Sequence, residues 1–284
     1  MNQALNFGYL PEEYSNPDKS SIVIIPVPYD GTSTWIKGAD KGPDAIIEAS
    51  ANMELYDIET DSEVYKKGIF TDSPVHDLSF PEDVAETLES IVGYHIEDGK
   101  FVVLIGGEHS ISIGSVKAHA QNHKDLTVLQ LDAHSDLRDE YNNSKYSHAC
   151  VMARIAEMCP FLQVGIRSMD SSEKERMDKK RVFLAEDILN DKNWIKKIVS
   201  KLSKTTYITI DLDVFDPSIM PSTGTPEPGG LSWYEVLSLL KAVSENTNIV
   251  GFDVVELCPD NRNKAPNFLA AKLIYKLLSY KFGA

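Results

Sequence analysis

The chain has 284 residues, 42% of them hydrophobic, and 43 acidic against 28 basic side chains give it a formal net charge of −15. This acidity argues against binding to nucleic acid or to an anionic membrane surface, which reward basic patches, and is compatible with a small cationic substrate. No apolar run approaches the ~20 residues that span a bilayer, and the N-terminus does not resemble a secretory signal. With only three cysteines and no C-x-x-C pair, a cytoplasmic protein is expected.

Short apolar runs rich in β-branched residues predict buried strands of a parallel sheet. These runs are residues 21–25, 101–105, 127–131, 161–166, 206–210 and 248–252. Apolar positions at helical spacing predict the intervening helices, at residues 82–98, 110–122, 147–158, 191–203, 232–245 and 264–281. Because strands and helices alternate, we expect an α/β fold, three-layer α/β/α with a mostly parallel central sheet. No repeat or linker divides the chain, so a single domain over residues 1–284 is expected.

Acidic and histidine side chains follow three of these predicted strands. The candidates are His109, Asp132, His134, Asp136, Asp211 and Asp213. Alternate residues of a strand point to the same side, so the alternate members of each cluster are expected to share a face. The carboxyl ends of parallel strands meet at one edge of a sheet, where α/β proteins bind ligands. The sequence therefore predicts that all six side chains converge.

Four carboxylates and two imidazoles in one place indicate a metal site. Burying unpaired charges is costly, and a divalent cation removes that cost. Four aspartates carry too much charge for one such ion, so two metals that share bridging carboxylates fit better. Ligation by many oxygens and some imidazole suits manganese or a related hard ion, and the lack of cysteine weakens the case for a structural zinc. The alternative is that these aspartates cap helices and form turns.

Two further residues suit catalysis. His148 follows the second cluster in a polar loop and could shuttle a proton, and Glu256 follows the strand at 248–252 and could hold a guanidinium group by a bidentate hydrogen bond. Each has an ordinary alternative, as an exposed histidine or a salt-bridge partner. Glu108 is expected to be structural. His119 and His123 lie four residues apart on a predicted helix and are expected to face solvent.

Three segments of the chain resemble the signature motifs of the ureohydrolases, the family of arginase, agmatinase, guanidinobutyrase and formimidoylglutamase. They are Gly106-Gly107-Glu108-His109-Ser110, Leu131-Asp132-Ala133-His134-Ser135-Asp136, and Thr209-Ile210-Asp211-Leu212-Asp213 followed by Asp216-Pro217, Pro221 and Gly229-Gly230. The opening Gly38-x3-Gly42-Pro43 and the ending Val254-Val255-Glu256 fit as well. The resemblance covers about residues 22–280.

This resemblance implies an arginase/deacetylase-like sheet, two Mn(II) ions per chain and a homo-oligomer, a trimer or a hexamer. By motif position, one ion would be bound by His109, Asp132, Asp136 and Asp211. The other would be bound by His134, Asp132, Asp211 and Asp213, so that Asp132 and Asp211 bridge. A hydroxide between the ions would attack the guanidinium carbon, Asp213 would pass on its proton, Glu256 would hold the guanidinium nitrogens, and His148 would shuttle protons. The products would be urea and an amine.

The loop at residues 144–149 bears on the substrate. Arginases have a Ser-x-Asn-x-His-Gly stretch there, whereas this chain has Ser-Lys-Tyr-Ser-His-Ala, which argues against L-arginine and favours agmatine, hydrolysed to putrescine and urea. Asp139 and Glu140 could favour the amine of agmatine. N1-aminopropylagmatine would need the same chemistry, and the sequence does not separate the two. Guanidinobutyrate or formimidoylglutamate would instead use Lys145 and Arg138.

Two rival classes remain open. Enzymes similar to histone deacetylases hold one zinc with two aspartates and a histidine, which would leave His109 and Asp136 without a role. A non-catalytic binding protein of the same fold would commonly have lost a ligand or the proton shuttle. Here all six candidate ligands are present, as are His148 and Glu256.

Overall fold

Eight strands form one sheet in the computed structural model, which describes residues 6–76 and 79–283. The strand order is β2-β1-β3-β8-β7-β4-β5-β6, and all pairings among the described strands are parallel. The strands are β1 Ile22–Val27, β2 Ile69–Thr71, β3 Phe101–Gly106, β4 Leu126–Leu131, β5 Phe161–Ile166, β6 Val182–Leu184, β7 Thr205–Asp211 and β8 Asn248–Val255. The predicted α/β class and parallel sheet are confirmed.

Helices cover both faces of the sheet. They are α1 Glu12–Ser15, α2 Gly42–Ser50, α3 Pro81–Glu97, α4 Ser112–Asn122, α5 Val151–Ile155, α6 Ala185–Asn190, α7 Trp194–Val199, α8 Trp233–Asn246 and α9 Ala265–Phe282. The apolar side chains of α2, α7, α8 and α9 pack in one core cluster, and those of α3, α4 and α5 pack in two clusters on the opposite face. This is the expected three-layer arrangement.

The sequence pattern of the strands follows from this burial. In β1, Ile22 and Ile24 enter the first core cluster, while Val23 and Ile25 enter a cluster on the other face. Because both faces are covered by helices, every position of β1 is buried and apolar residues run without alternation. Among the described residues, none of the helices has the length and apolar character needed to cross a bilayer.

Some predicted elements differ from those observed. The strands β2 and β6 were missed because each has only three residues at an edge of the sheet. The helix predicted at 147–158 contains α5 alone, preceded by a 3-10 turn at His148–Cys150, and the helix predicted at 191–203 shortens to α7. Helix α2 was also missed, although Gly42-Pro43 marks its start, because the fixed φ of proline suits a first helical turn.

The strand order brings the predicted clusters together. The four adjacent central strands β3, β8, β7 and β4 lead, in that order, into the segments that carry His109, Glu256, Asp211 and Asp132. Since the strands are parallel, all four segments lie at one edge of the sheet.

Candidate active site

His109 faces three carboxylates. Its Nδ1 atom lies 3.2 Å from an oxygen of Asp132, 3.2 Å from one of Asp136 and 3.5 Å from one of Asp211. This nitrogen is buried and makes no hydrogen bond to any described residue. A nitrogen lone pair and carboxylate oxygens aimed at a common point have the donor set of a metal site. His109, Asp132 and Asp211 offer ligand atoms that all lie within 4.8 Å of one another.

The opposite side of the His109 ring is held by a buried chain of hydrogen bonds. Its Nε2 atom lies 2.8 Å from the Thr209 hydroxyl, and that hydroxyl donates to Asp253 at 2.6 Å. The hydroxyl of Tyr207 donates to the other oxygen of Asp253 at 2.7 Å. Because Thr209 has one hydroxyl proton and gives it to Asp253, it accepts the proton of Nε2. The lone pair of Nδ1 is therefore free to face the carboxylates.

A second group lies beside the first and shares Asp132 with it. Asp132, His134 and Asp213 also offer ligand atoms within 4.8 Å of one another, and Nδ1 of His134 lies 2.9 Å from Asp213. The buried side-chain amide of Gln130 donates to Asp132 at 2.7 Å, and the side-chain amide of Gln163 donates to the Oε1 atom of Gln130 at 2.6 Å. Two neighbouring groups with one common carboxylate suit two ions joined by a bridging ligand.

These side chains converge by a different route from the one expected. Strand β4 ends at Leu131, so residues 132–136 are a loop beyond the strand and do not continue its alternation. The backbone of Asp136 is left-handed, with a φ of 50°. Asp213 lies in a short 3-10 turn, Leu212–Val214. The prediction that strand alternation aligns each cluster was wrong, although the side chains do meet.

The charges of the site cannot all be buried at neutral pH without a cation. Burial, together with the charges of Asp213 and Asp136, raises the pKa of Asp132 to about 7. Burial also raises the pKa of Asp211 well above its usual range. Burial opposes the charged form of His134, but Asp213 and Asp132 outweigh it and raise the pKa to about 11. Protons held on such groups take the place of a metal cation.

His148 lines the same cavity and is oriented by a buried carboxylate. Its Nδ1 atom lies 2.9 Å from the Thr32 hydroxyl, which donates to Glu108 at 2.8 Å. Glu108 also accepts the backbone N–H groups of Thr32 and Ser33. Since the Thr32 proton goes to Glu108, Nδ1 of His148 is the donor to Thr32. Its Nε2 atom is left as the proton acceptor, which is compatible with the proton-shuttle role expected from the sequence.

Glu256 follows β8 with a left-handed φ of 68° and lines the cavity. Its Oε1 atom accepts the backbone N–H of His109 at 2.8 Å. Gly224 lies beside Oε2, and a Cβ atom there would be 3.8 Å from it, an ordinary van der Waals contact. Burial and the neighbouring charge of Glu108 raise the pKa of Glu256. A bound guanidinium cation would offset that cost.

Several sequence hypotheses about the cavity walls fail. Asp139 pairs with Arg154 at 2.8 Å and with Arg176 at 3.1 Å, and neither Asp139 nor Glu140 lines the cavity. Lys145 also lies outside the lining residues. Asp139 is paired with two guanidinium groups outside the cavity, so the structure does not support it as the partner of a cationic amine.

His119 was expected to face solvent, but it lies in the core. It is fully buried, its ring lies 4.7 Å from that of Tyr207, and burial lowers its pKa to about 4. Gly251 on β8 makes room for it, because a Cβ atom there would lie 2.4 Å from Nε2. The ring is a core side chain, and His123 beside it is partly exposed.

Sequence reasoning missed four residues around the site: Gln130, Thr209, Asp253 and Glu227. The first three are polar residues inside or next to apolar strand runs, a signal that was available because a buried polar group needs a partner. Glu227 lies in the loop between β7 and α8, and lines the cavity near His134. Its position could not be read from the strand pattern.

Comparison with known proteins agrees with this geometry. Residues 20–279 match the model of the arginase family. The chain belongs to the arginase family. It is 39% identical over 273 residues to N(1)-aminopropylagmatine ureohydrolase of Synechocystis, covering 92% of this chain and 89% of that one. It is 31% identical over 264 residues to an agmatinase of Pyrococcus horikoshii, covering 90% of each.

A solved structure supports the same placement. The agmatine ureohydrolase of Thermoplasma volcanium superposes with a TM-score of 0.89 at 32% identity, covering all of this chain (100%) and 96% of that one. The chain is thus a ureohydrolase of the agmatinase type, a hydrolase that acts on guanidino compounds. The predicted family and enzyme class are confirmed.

Proposed function

We propose that the chain hydrolyses the guanidino group of N1-aminopropylagmatine, giving spermidine and urea. The observation that carries this choice is the higher identity to the aminopropylagmatine ureohydrolase of Synechocystis, 39%, than to the agmatinase of Pyrococcus horikoshii, 31%. Agmatine, which the sequence favoured, is the second candidate. It is supported by the similarity of the whole chain to the structure of the agmatine ureohydrolase of Thermoplasma volcanium.

The cavity walls support a long amine tail. The cavity has a volume of about 370 Å³, within the usual range for small-molecule sites. Its lining includes Trp35 and Met169, which are 70% and 41% exposed. Such apolar surface suits the extra methylene groups of an aminopropyl tail, and an indole face attracts an ammonium group.

The cavity offers few partners for a substrate whose tail ends in a carboxylate. Arg138 lines the cavity, but its guanidinium lies 3.9 Å from Asp170 and stacks 4.6 Å from the ring of Tyr141. Part of its charge is therefore compensated, and Lys145 does not reach the lining. The carboxylates of guanidinobutyrate, formimidoylglutamate and arginine would meet a wall with little free positive charge.

Two Mn(II) ions per chain are part of the proposal. The free lone pair of His109 and the shared Asp132 fit two ions, and a donor set of mostly oxygen suits manganese. The proposed ligands are those expected from the sequence: His109, Asp132, His134, Asp136, Asp211 and Asp213. When bound, two such ions would lower the pKa of a water molecule and stabilise the negative charge that develops in the transition state. A single-zinc, deacetylase-like site would leave Asp136 without a purpose beside His109.

The residues of the chain have distinct roles in this reaction. Glu256 holds the guanidinium, because it lines the cavity while its Oε1 atom is fixed by the backbone N–H of His109. Asp213 accepts a proton and passes it to the leaving amine. His148, oriented through Thr32, exchanges protons with solvent at Nε2. Each group acts from a position set by a hydrogen bond that the substrate does not have to form.

The oligomeric state and the cellular location are predictions from the sequence. The resemblance implies a homo-oligomer, a trimer or a hexamer, and the cysteine usage favours the cytoplasm. A non-catalytic role is disfavoured because the proposed ligands, His148 and Glu256 are all brought to one cavity.

Urea release from the Mn(II)-loaded chain tests the proposal, with N1-aminopropylagmatine, agmatine, L-arginine and 4-guanidinobutyrate as parallel substrates. We expect kcat/KM to be at least about 100-fold higher for the two amine-tailed guanidines than for the two acids, since an unpaired buried carboxylate is costly. A preference for either acid, or no urea from any of the four with metal bound, would contradict it.

A further inference from the structure

Glu227 lies just outside the proposed metal ligands, in the same cavity. Its Oε1 atom is 3.9 Å from Nε2 of His134. The other ring nitrogen of His134, Nδ1, is 2.9 Å from Asp213. The carboxylate of Glu227 therefore lies across the His134 ring from Asp213, and Glu227 lines the same cavity.

The backbone around Glu227 is held firmly. The guanidinium of Arg167 donates to the carbonyl of Glu227 at 2.8 Å and to the carbonyl of Asp213 at 2.6 Å, so it ties the loop to the ligand segment. Asp216 accepts the backbone N–H groups of Gly229 and Gly230 at 2.9 and 3.2 Å. Arg167 thus uses its donors on carbonyl oxygens and does not bind the carboxylate of Glu227.

That carboxylate makes no hydrogen bond to the residues that the structure describes, and its side chain is 37% exposed. The separation of 3.9 Å from His134 is too long for a hydrogen bond. The other acids of the outer lining are engaged: Glu173 accepts from Ser135 and Leu137, and Asp170 accepts from Ser172. Glu227 is the carboxylate of this wall with no described hydrogen-bond donor.

We propose that Glu227 binds the ammonium group that lies a tetramethylene chain away from the guanidino group of the substrate. The inference rests on the proposed function. Agmatine has a primary ammonium at this position, and N1-aminopropylagmatine has a secondary one, so Glu227 would serve both. A substrate with a carboxylate there would be repelled. This assigns to Glu227 the selection of amine tails that the sequence had offered to Asp139 and Glu140.

Kinetics of Glu227→Gln on two matched guanidines test this role. Agmatine and butylguanidine share the chain length, but only agmatine has the ammonium. We expect the variant to raise KM for agmatine about tenfold, since a hydrogen bond between charged groups is lost, and to change kcat less than about twofold. KM for butylguanidine and the manganese content per chain should not change. Glu186→Gln, on the exposed face of α6, removes the same charge elsewhere and should behave as wild type.

The outcomes separate two failures. Equal losses on both guanidines, or weaker manganese binding, would mean that Glu227 supports His134 and would overturn the inference while urea release by the wild type upholds the proposed function. An unchanged KM for agmatine would also overturn it. No urea from either guanidine with the wild type, again with metal bound and with N1-aminopropylagmatine as a further substrate, would overturn the proposed function and the inference together.

Discussion

Thr209 donates a hydrogen bond of 2.6 Å to Asp253 beneath the site, and this bond determines which nitrogen of His109 is free. Both residues are fully buried, and the link runs from a carboxylate in β8 to a proposed metal ligand after β3. The carboxylate of Asp253 would thus orient a proposed metal ligand without itself being a ligand. Histidine ligands in metalloproteins are commonly oriented by an outer partner of this kind.

Thr209→Val should weaken manganese binding about 10- to 100-fold, the usual cost of removing a partner that orients a ligand. Nε2 of His109 then loses its acceptor, and the ring loses its fixed tautomer. The measurement is a manganese titration of the metal-free protein. Thr206→Val on the same strand is the matched control, because the hydroxyl of Thr206 is buried without a hydrogen bond to any described residue. Equal manganese affinities in the two variants would contradict the role of Thr209.

Asp132→Ala should lose both ions and the activity together, since Asp132 belongs to both groups of potential ligands. We expect urea release to fall by more than about 100-fold, beyond the usual effect of an outer partner. Manganese content per chain after gel filtration provides the measurement. Asp187→Ala, at an exposed position of α6, serves as the control. Retention of two manganese ions and of turnover by Asp132→Ala would refute the bridging assignment.

Glu256→Gln should keep its metals but lower kcat/KM about 100-fold, because a charged hydrogen bond to the guanidinium becomes a neutral one. The amide oxygen can still accept the backbone N–H of His109, so the fold of the loop should persist. Parallel measurements of metal content and urea release separate the two effects. An unchanged rate would reject Glu256 as the residue that holds the guanidinium.

Manganese binding should release more protons at about pH 6 than at about pH 8. The pKa of Asp132 in the metal-free protein is raised to about 7, so below this pH the group holds a proton that an ion must displace. The same shift lowers the stability of the metal-free protein as the pH rises from the unfolded carboxylate value towards 7, because the folded state binds the extra proton. Calorimetry in two buffers of different ionisation enthalpy counts the protons. Equal release at both pH values would contradict this titration.

Much of the site was predictable because its residues follow buried strands. The apolar runs before His109, Asp132 and Asp211 marked the strand ends, and a parallel sheet brings such ends together. Four carboxylates expected at one place then indicated a bound cation. The positions of His148 and Glu256, after the second cluster and after the strand at 248–252, suggested their roles, the family motifs implied the same roles, and both residues line the cavity.

The remainder depends on contacts distant in sequence. The left-handed backbone of Asp136 could not be inferred, since aspartate adopts this conformation only in particular turns. Asp139 was proposed as an amine partner, but its two arginine partners lie 15 residues or more along the chain. Glu227 was missed because only the fold places its loop beside His134. Local pattern carries no information about such pairings.

A competition experiment between the two amine-tailed guanidines is the sharpest test of the proposed substrate. The manganese-loaded chain is given equal concentrations of N1-aminopropylagmatine and agmatine, and spermidine and putrescine are quantified early in the reaction. Their ratio gives the ratio of the two kcat/KM values whatever the concentration of active protein. We expect an excess of spermidine, as the proposed preference for N1-aminopropylagmatine requires. An excess of putrescine, or the absence of both amines, would contradict it.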